Sequence, residues 1–320
     1  MKSIIPVIFA YANSANISAK PGNQQLLGSF NLDGWTSSKI STVEQMKVFT
    51  EIIERYGVLQ ISGIETGFED DFSSVIESID NNRGVYKTIY CDSQKGVTQG
   101  FVYRSDFWIE AETQLYVDKN NDFSRPPCGG VFVDPYERPV FIVGVDNQPN
   151  NTIAETDALA TVYDSLYAQF AGPCIHPAIH MVGSFYLACD YASQEEIDNL
   201  TLRNDGEFHW WIGDDEDSTV GDDNCAYEQI ISNYGEDVEV VEKVRAQIFR
   251  YDEEFDVEKS LAMAISGHYP VEIWFGDEEI STTTTTTTTE PEPFTEKSTT
   301  ASSNIALATF TLFFTSLILA

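Results

Sequence analysis

Ser266-Gly267-His268-Tyr269-Pro270-Val271-Glu272 closes the folded part of this chain, and its reading decides the rest. A histidine stands here at the start of a short apolar strand, 271–275. Beyond it the sequence turns acidic, then threonine-rich, and finally small and apolar. Working back from this stretch, short apolar strands alternate with helical stretches, which is the pattern of an α/β fold. Strands are predicted at 25–32, 58–64, 85–90, 100–103, 108–117, 131–133, 140–145, 179–182 and 227–231, and helices at 72–79, 153–170 and 256–264. A further helix, 41–56, carries its own signals. Ser41 with Glu44 reads as a capping box, Met46, Phe49, Ile52, Ile53 and Tyr56 form one apolar face, and Gly57 suits the stop. No internal repeat or linker interrupts 24–276, so a single domain is the economical reading.

With 320 residues, 42% of them apolar, the chain has material for a sizeable core. Its 18 Lys+Arg against 51 Asp+Glu leave a net charge of -33, which opposes nucleic-acid binding unless cations intervene or a basic face forms. Asp214-Asp215-Glu216-Asp217 with Asp222-Asp223 lacks the spacing of an EF-hand and reads as a solvated acidic loop. Trp210-Trp211 reads either as a binding ridge or as ordinary core. His176 and His180 are spaced as helical metal ligands, but Pro177 between them argues against a helix.

The two ends lie outside the fold. Residues 1–19, with Lys2, an apolar run over 4–12 and small residues after it, read as a secretory signal peptide. Residues 277–300 form a Thr/Pro-rich stalk. Residues 301–320 are small residues followed by an uncharged apolar end, shorter than the about 20 residues a spanning helix needs. This is the layout of a removable glycosylphosphatidylinositol attachment signal, with a single membrane helix as the alternative. The expected location is therefore the extracellular face of the cell surface, with the membrane reached through a lipid anchor. On that route Asn150 and Asn199 are glycosylation sites, and Asn16 leaves with the signal peptide. Cys91, Cys128, Cys174, Cys189 and Cys225 meet an oxidising compartment, and five cysteines cannot all pair within one chain.

Several short motifs follow one another in fixed order: Phe30-Asn31, Arg55-Tyr56, Phe123-Ser124-Arg125 before a proline, Pro149 followed by Ala154-Glu155, the frame Gly183, Phe185 and Cys189, Asn224-Cys225-Ala226-Tyr227, and the closing stretch quoted above. In that order the chain resembles the deoxyribonuclease I family, within the endonuclease/exonuclease/phosphatase superfamily, over nearly all of 24–276. The resemblance implies a four-layered α/β/β/α sandwich in a single domain. It also implies a Cys189–Cys225 disulfide and leaves the pairing of Cys91, Cys128 and Cys174 open.

Phosphodiester hydrolysis at neutral pH needs carboxylates to hold a hard cation, a base to activate water and an acid for the leaving oxygen. In the family these roles fall on Asp, Glu and Asn ligands and on two histidines, each paired with a carboxylate. Matched position by position, the ligand positions fall on Gly63, Ser184, Tyr186 and Gly267, and Asn31 alone keeps a ligand-type residue. His268 with Glu228 keeps one histidine–carboxylate pair, while the other falls on Asp146 and Val97. Arg125 keeps a phosphate-contact position, and an arginine position falls on Asp33. Each survivor has a plain alternative: Asn31 as a backbone cap, His268 as a packed ring, Arg125 as an ion-pair partner.

Two functions follow from the resemblance. The favoured one is a catalytically inactive, cell-surface binding module with an unidentified extracellular partner and no cofactor. DNA is not the expected partner. The other is an extracellular endodeoxyribonuclease using Mg2+ or Ca2+, with Glu65, Asp146 or Glu228 as substitute ligands. The test is whether Asn31, Glu65, Glu228 and His268 converge with room for a cation, or whether Tyr186 projects into that space.

Overall fold

The computed structural model describes residues 25–79, 85–135, 137–170, 177–234 and 244–275. The signal peptide, stalk, attachment signal, Asn16, Cys174 and His176 lie outside them. Two mixed sheets face each other. The first runs in the order β11 (Val244–Ile248), β12 (Val271–Phe275), β1 (Leu27–Trp35), β2 (Val58–Glu65), β4 (Val97–Arg104), β3 (Tyr86–Tyr90). The second runs β5 (Ile109–Leu115), β6 (Cys128–Val133), β7 (Pro139–Asp146), β8 (Ala178–Ser184), β10 (Glu228–Ser232), β9 (His209–Trp210).

Strand periodicity explains the layers, since neighbouring residues point to opposite faces of a sheet. In the first sheet Leu27, Val58, Phe101, Val271 and Ile273 turn inward, where they meet Phe132, Ile142, Val182 and Ile230 of the second. Their sequence neighbours Leu26, Leu59, Ile61 and Val102 turn outward beneath α1 (Val43–Glu54), α2 (Glu69–Ile79), α6 (Tyr251–Glu254) and α7 (Lys259–Ile265). On the far side Phe141, Val143, Val145, Ile179 and Met181 pack beneath α3 (Thr152–Phe170), with α4 (Gln194–Asp198) and α5 (Thr201–Asn204) beside it. The result is an α/β/β/α sandwich. Each sheet contains one parallel pair joined by a helix, β1-α1-β2 and β7-α3-β8, and polar residues gather at these pairs.

Two covalent links and one ion pair brace the fold. Cys91, just after β3, is bonded to Cys128 at the start of β6, so this disulfide joins the two sheets. Cys189 is bonded to Cys225. Each closes a loop long enough to stabilise by roughly 3 to 4 kcal/mol in the chain-entropy model. Arg55 after α1 makes a bidentate pair with the buried Glu272 of β12, at 2.7 Å on both arms, and lies 4.1 Å over the ring of Phe249. The Arg55-Tyr56 motif and the closing motif thus meet in space.

Several expectations are corrected. The first helix is capped by Thr42, not Ser41: Thr42 is extended, its hydroxyl accepts from Gln45 N, and the Gln45 side chain reaches back to the backbone N–H of both Thr42 and Ser41. The second begins at Glu69 rather than Phe72, because the Glu69 carboxylate accepts from Gly67 N (2.8 Å) and starts the turn earlier. The helix expected over 256–264 is delayed to Lys259, since Asp256 sits at φ 50 and breaks it away from α6. Strand β1 runs on to Trp35, and β11 is a strand that the pattern did not reveal.

Candidate functional site

The parallel pairs bring the matched positions to one cleft. Asp146 ends β7 and Ser184 ends β8, and the two are register partners. Glu228, which opens β10, pairs with Ser184 from the other side. Three neighbouring strands therefore present Asp146, Ser184 and Glu228 in a row. Asn31 reaches them from β1 of the opposite sheet, its Nδ2 donating to Ser184 Oγ at 2.9 Å.

One half of the cleft is a chain of hydrogen bonds ending in a histidine. Ser184 Oγ donates to Glu228 Oε1 (3.1 Å), and the same oxygen takes His268 Nδ1 at 2.6 Å. The other Glu228 oxygen accepts from Ser218 Oγ at 2.5 Å, and Ser218 in turn accepts from the backbone N–H of Tyr227 and Glu228. The extra methylene of glutamate is thus accommodated, and Glu228 is fully buried. His268 is held by Ser266, whose Oγ accepts from His268 N (3.0 Å) and donates to Asn31 O (2.7 Å). Burial alone would lower the His268 pKa, but Glu228, Asp33 and Asp146 outweigh it and hold the imidazole above its ordinary value.

The other half is an ion pair. Asp146 stands where the resemblance expects the second histidine, and Arg125 grips it: Nη2 lies 2.8 Å from Oδ1 and Nε 2.8 Å from Oδ2. With its amide turned to present oxygen, Gln148 accepts from the same guanidinium at 2.8 and 2.7 Å. Burial pushes the Asp146 carboxyl above its usual range, against the pull of Arg125 and His268. Arg125 is therefore engaged inside the protein. Val97, the other lost carboxylate position, opens β4 opposite Glu65.

A divalent cation of the family type does not fit these residues. Gly63 has φ 78, and a Cβ built there would lie 2.7 Å from Asn31 Oδ1, so the Asn31 side chain occupies the space a ligand at 63 needs. That same oxygen accepts from Asp33 N at 2.9 Å, an Asx turn. A Cβ at Gly267 would come 3.3 Å from Asp33 Oδ2, setting any carboxylate there against another. Lys39 supplies the local positive charge: its Nζ donates to Leu32 O (2.7 Å) and Asp33 O, lies 3.8 Å from Asp33 Oδ2, and feels Glu65 as well. Among the described residues no group of three or more His, Cys, Asp and Glu is placed to hold a metal ion. Asn31, Glu228 and His268 converge through Ser184, whereas Glu65 stays exposed at the end of β2 beside Lys39.

Tyr186 stands over the cleft. Its ring is edge-on to His268, with centroids 6.0 Å apart, and 4.9 Å from Tyr227. The remaining expected sites fall elsewhere. Asn150 and Asn199 are exposed. His180 is a core residue of β8, bonded to Ser232 Oγ at 2.7 Å, with its pKa lowered to about 3 by burial. Trp210 and Trp211 are half-buried and bonded to Leu202 O and Ser232 Oγ. Sequence reasoning missed Lys39, Ser218, Ser266 and Gln148, and read Ser184 only as a lost ligand rather than as the bridge between Asn31 and Glu228.

No family model matches the chain. It is 26% identical over 265 residues to mouse deoxyribonuclease-1-like 2, covering 78% of this chain and 91% of that protein. In fold it is similar to a truncated Caenorhabditis elegans TDP2 (TM-score 0.55, 13% identity, 79% of this chain and 97% of that one). It is also similar to an endonuclease/exonuclease/phosphatase family protein from Bacteroides thetaiotaomicron (TM-score 0.51, 12% identity, 78% and 93%). The architecture is that of the endonuclease/exonuclease/phosphatase proteins. In sequence the chain is divergently similar to the deoxyribonuclease I-like proteins.

Proposed function

We propose that this deoxyribonuclease I-like protein is a non-catalytic binding module, displayed on the extracellular face of the cell surface through a lipid anchor and modified at Asn150 and Asn199. The observation that carries this reading is the Asp146–Arg125 pair at the position of the second histidine. Phosphodiester hydrolysis needs a proton donor and a proton acceptor on opposite sides of the phosphorus, plus charge to stabilise the transition state. His268 with Glu228 provides one such group. Opposite it stands an ion pair in place of an imidazole: Asp146 is engaged by Arg125, and arginine is no acid or base because it does not deprotonate in proteins. The reading therefore expects no Mg2+ or Ca2+ cofactor, a protein partner outside the cell, and no DNA turnover.

The intact His268–Glu228 pair favours the alternative, an endodeoxyribonuclease with substituted ligands. Plasmid nicking decides between them. With Mg2+ and Ca2+ together the purified protein should leave supercoiled DNA intact, while nicking that disappears in His268→Ala would establish the enzyme instead.

A further inference from the structure

We propose that the tyrosine cluster at the mouth of the cleft, Tyr186 with Tyr191 and Tyr227, is a recognition site for an arginine- or lysine-bearing segment of a partner protein. This rests on the binding role proposed above and gives its partner a chemistry.

The three rings enclose one another at different angles. Tyr186 lies 6.1 Å from Tyr191 at 87° and 4.9 Å from Tyr227 at 47°, and Tyr191 lies 5.9 Å from Tyr227 at 47°. Tyr191 is 40% exposed and the other two are half-buried, so ring faces and edges border solvent. Aromatic faces carry negative charge density and attract cations, Arg more often than Lys.

The local field has the same sign. After burial, the charges of Glu228, Asp146 and Asp33 raise the Tyr186 phenol, with Arg125 opposing. After burial, Tyr191, Asp223, Glu228 and Asp190 raise that of Tyr227. A phosphate meets repulsion here, whereas a guanidinium or ammonium meets aromatic faces backed by carboxylates. A net charge of -33 draws such a partner from a distance.

The cluster is also rigidly mounted. Phe185 N and Tyr186 N both donate to Tyr227 O, at 2.7 and 3.0 Å, and the Cys189–Cys225 disulfide closes the same loops. Tyr186 is held at φ 55, a left-handed conformation that costs a bulky residue energy and that asparagine, the residue the resemblance expects, tolerates well. A ring kept at such a position limits the ordering cost on binding.

The test is fluorescence anisotropy of a fluorescein-labelled hexa-arginine peptide with the purified protein, beside a hexa-citrulline peptide and a single-stranded oligonucleotide carrying the same label. The arginine peptide should bind and the citrulline peptide should not. Affinity should fall at least tenfold in Tyr191→Leu/Tyr227→Leu, which changes no charge, and survive in Tyr191→Phe/Tyr227→Phe. If the double leucine variant does not fold, Tyr191→Leu alone, at the exposed position, carries the test with a loss of about threefold. Equal binding by leucine and phenylalanine variants would leave only the diffuse negative charge and overturn the site. Tighter binding of the oligonucleotide than of the peptide would assign the rings to base stacking and overturn it too. Plasmid nicking by the same preparation bears on the non-catalytic role alone, so the two readings fail separately.

Discussion

The two halves of the cleft bury a carboxylate beside a nitrogen base, and the difference lies in which base. Glu228 faces His268 at 2.6 Å, a base held above its ordinary pKa that sits among Ser184, Ser218 and Ser266 as hydrogen-bond partners of the pair. Asp146 faces Arg125, a partner that stays charged at any working pH. The first half remains able to move a proton. The second is an ion pair with a permanently charged partner. On the proposed reading one half of an acid–base apparatus is kept while the other serves structure, and the positions that the resemblance assigns to metal ligands fit it: Asn31 and Asp33 lie against Gly63 and Gly267, and Lys39 lies beside Asp33.

The largest expected effect comes from breaking the fixed pair. Asp146→Ala leaves Arg125 largely buried without its carboxylate and should cost about 3 kcal/mol, read from urea unfolding. Replacing both members, Asp146→Leu with Arg125→Met, should recover most of that loss, since burial already outweighs the attraction at Asp146. A double variant no more stable than Asp146→Ala would mean that the pair does more than balance charge.

Next in size is Gly63→Glu, which restores the residue type the resemblance expects. At φ 78, with Asn31 Oδ1 2.7 Å from the new Cβ, it should destabilise by about 1 to 3 kcal/mol and gain no affinity for Mg2+ in calorimetry. A stable variant that binds Mg2+ would show that the freed space was still open.

The smallest effect is the pH dependence of the titrating half. The folded pKa of His268 lies above its ordinary value, so protonation stabilises the fold. That contribution is complete below about pH 6.5 and is lost as pH rises through the raised folded value. Asp146, also raised by burial, acts with the same sign. Unfolding free energies at pH 6 and pH 9 should therefore differ more in the wild type than in His268→Gln. An equal difference in both would place the titration elsewhere.

The fold was legible where chemistry is local. Alternating apolar residues in β1, β7 and β8 give a two-sided burial pattern, and the Arg55-Tyr56 and Val271-Glu272 motifs proved to be partners in one buried ion pair. Strand β11 escaped because Val244-Arg245-Ala246-Gln247-Ile248 places one fully buried residue at the edge of a sheet, with polar residues alternating outward. In the cleft, the residue types at the matched positions could be read from the chain, but their partners could not. Asn31 and Ser184 are 153 positions apart, and the bridge between them exists only because two sheets face each other. Lys39 and Ser218 carry no pattern of their own, and Arg125 could be read either as a phosphate contact or as an ion-pair partner until β7 placed Asp146 beside it.

The most direct measurement is titration of the protein with Mn2+ followed by electron paramagnetic resonance, run beside Asn31→Ala and Glu228→Gln. Weak association with the acidic surface should be the same in all three proteins, because the oxygens of Glu228 and Asp146 are already engaged by His268, Ser218 and Arg125 and are not free to coordinate a metal. One equivalent of tightly bound Mn2+ in the wild type, lost in either variant, would contradict the account and return the cleft to metal-dependent chemistry.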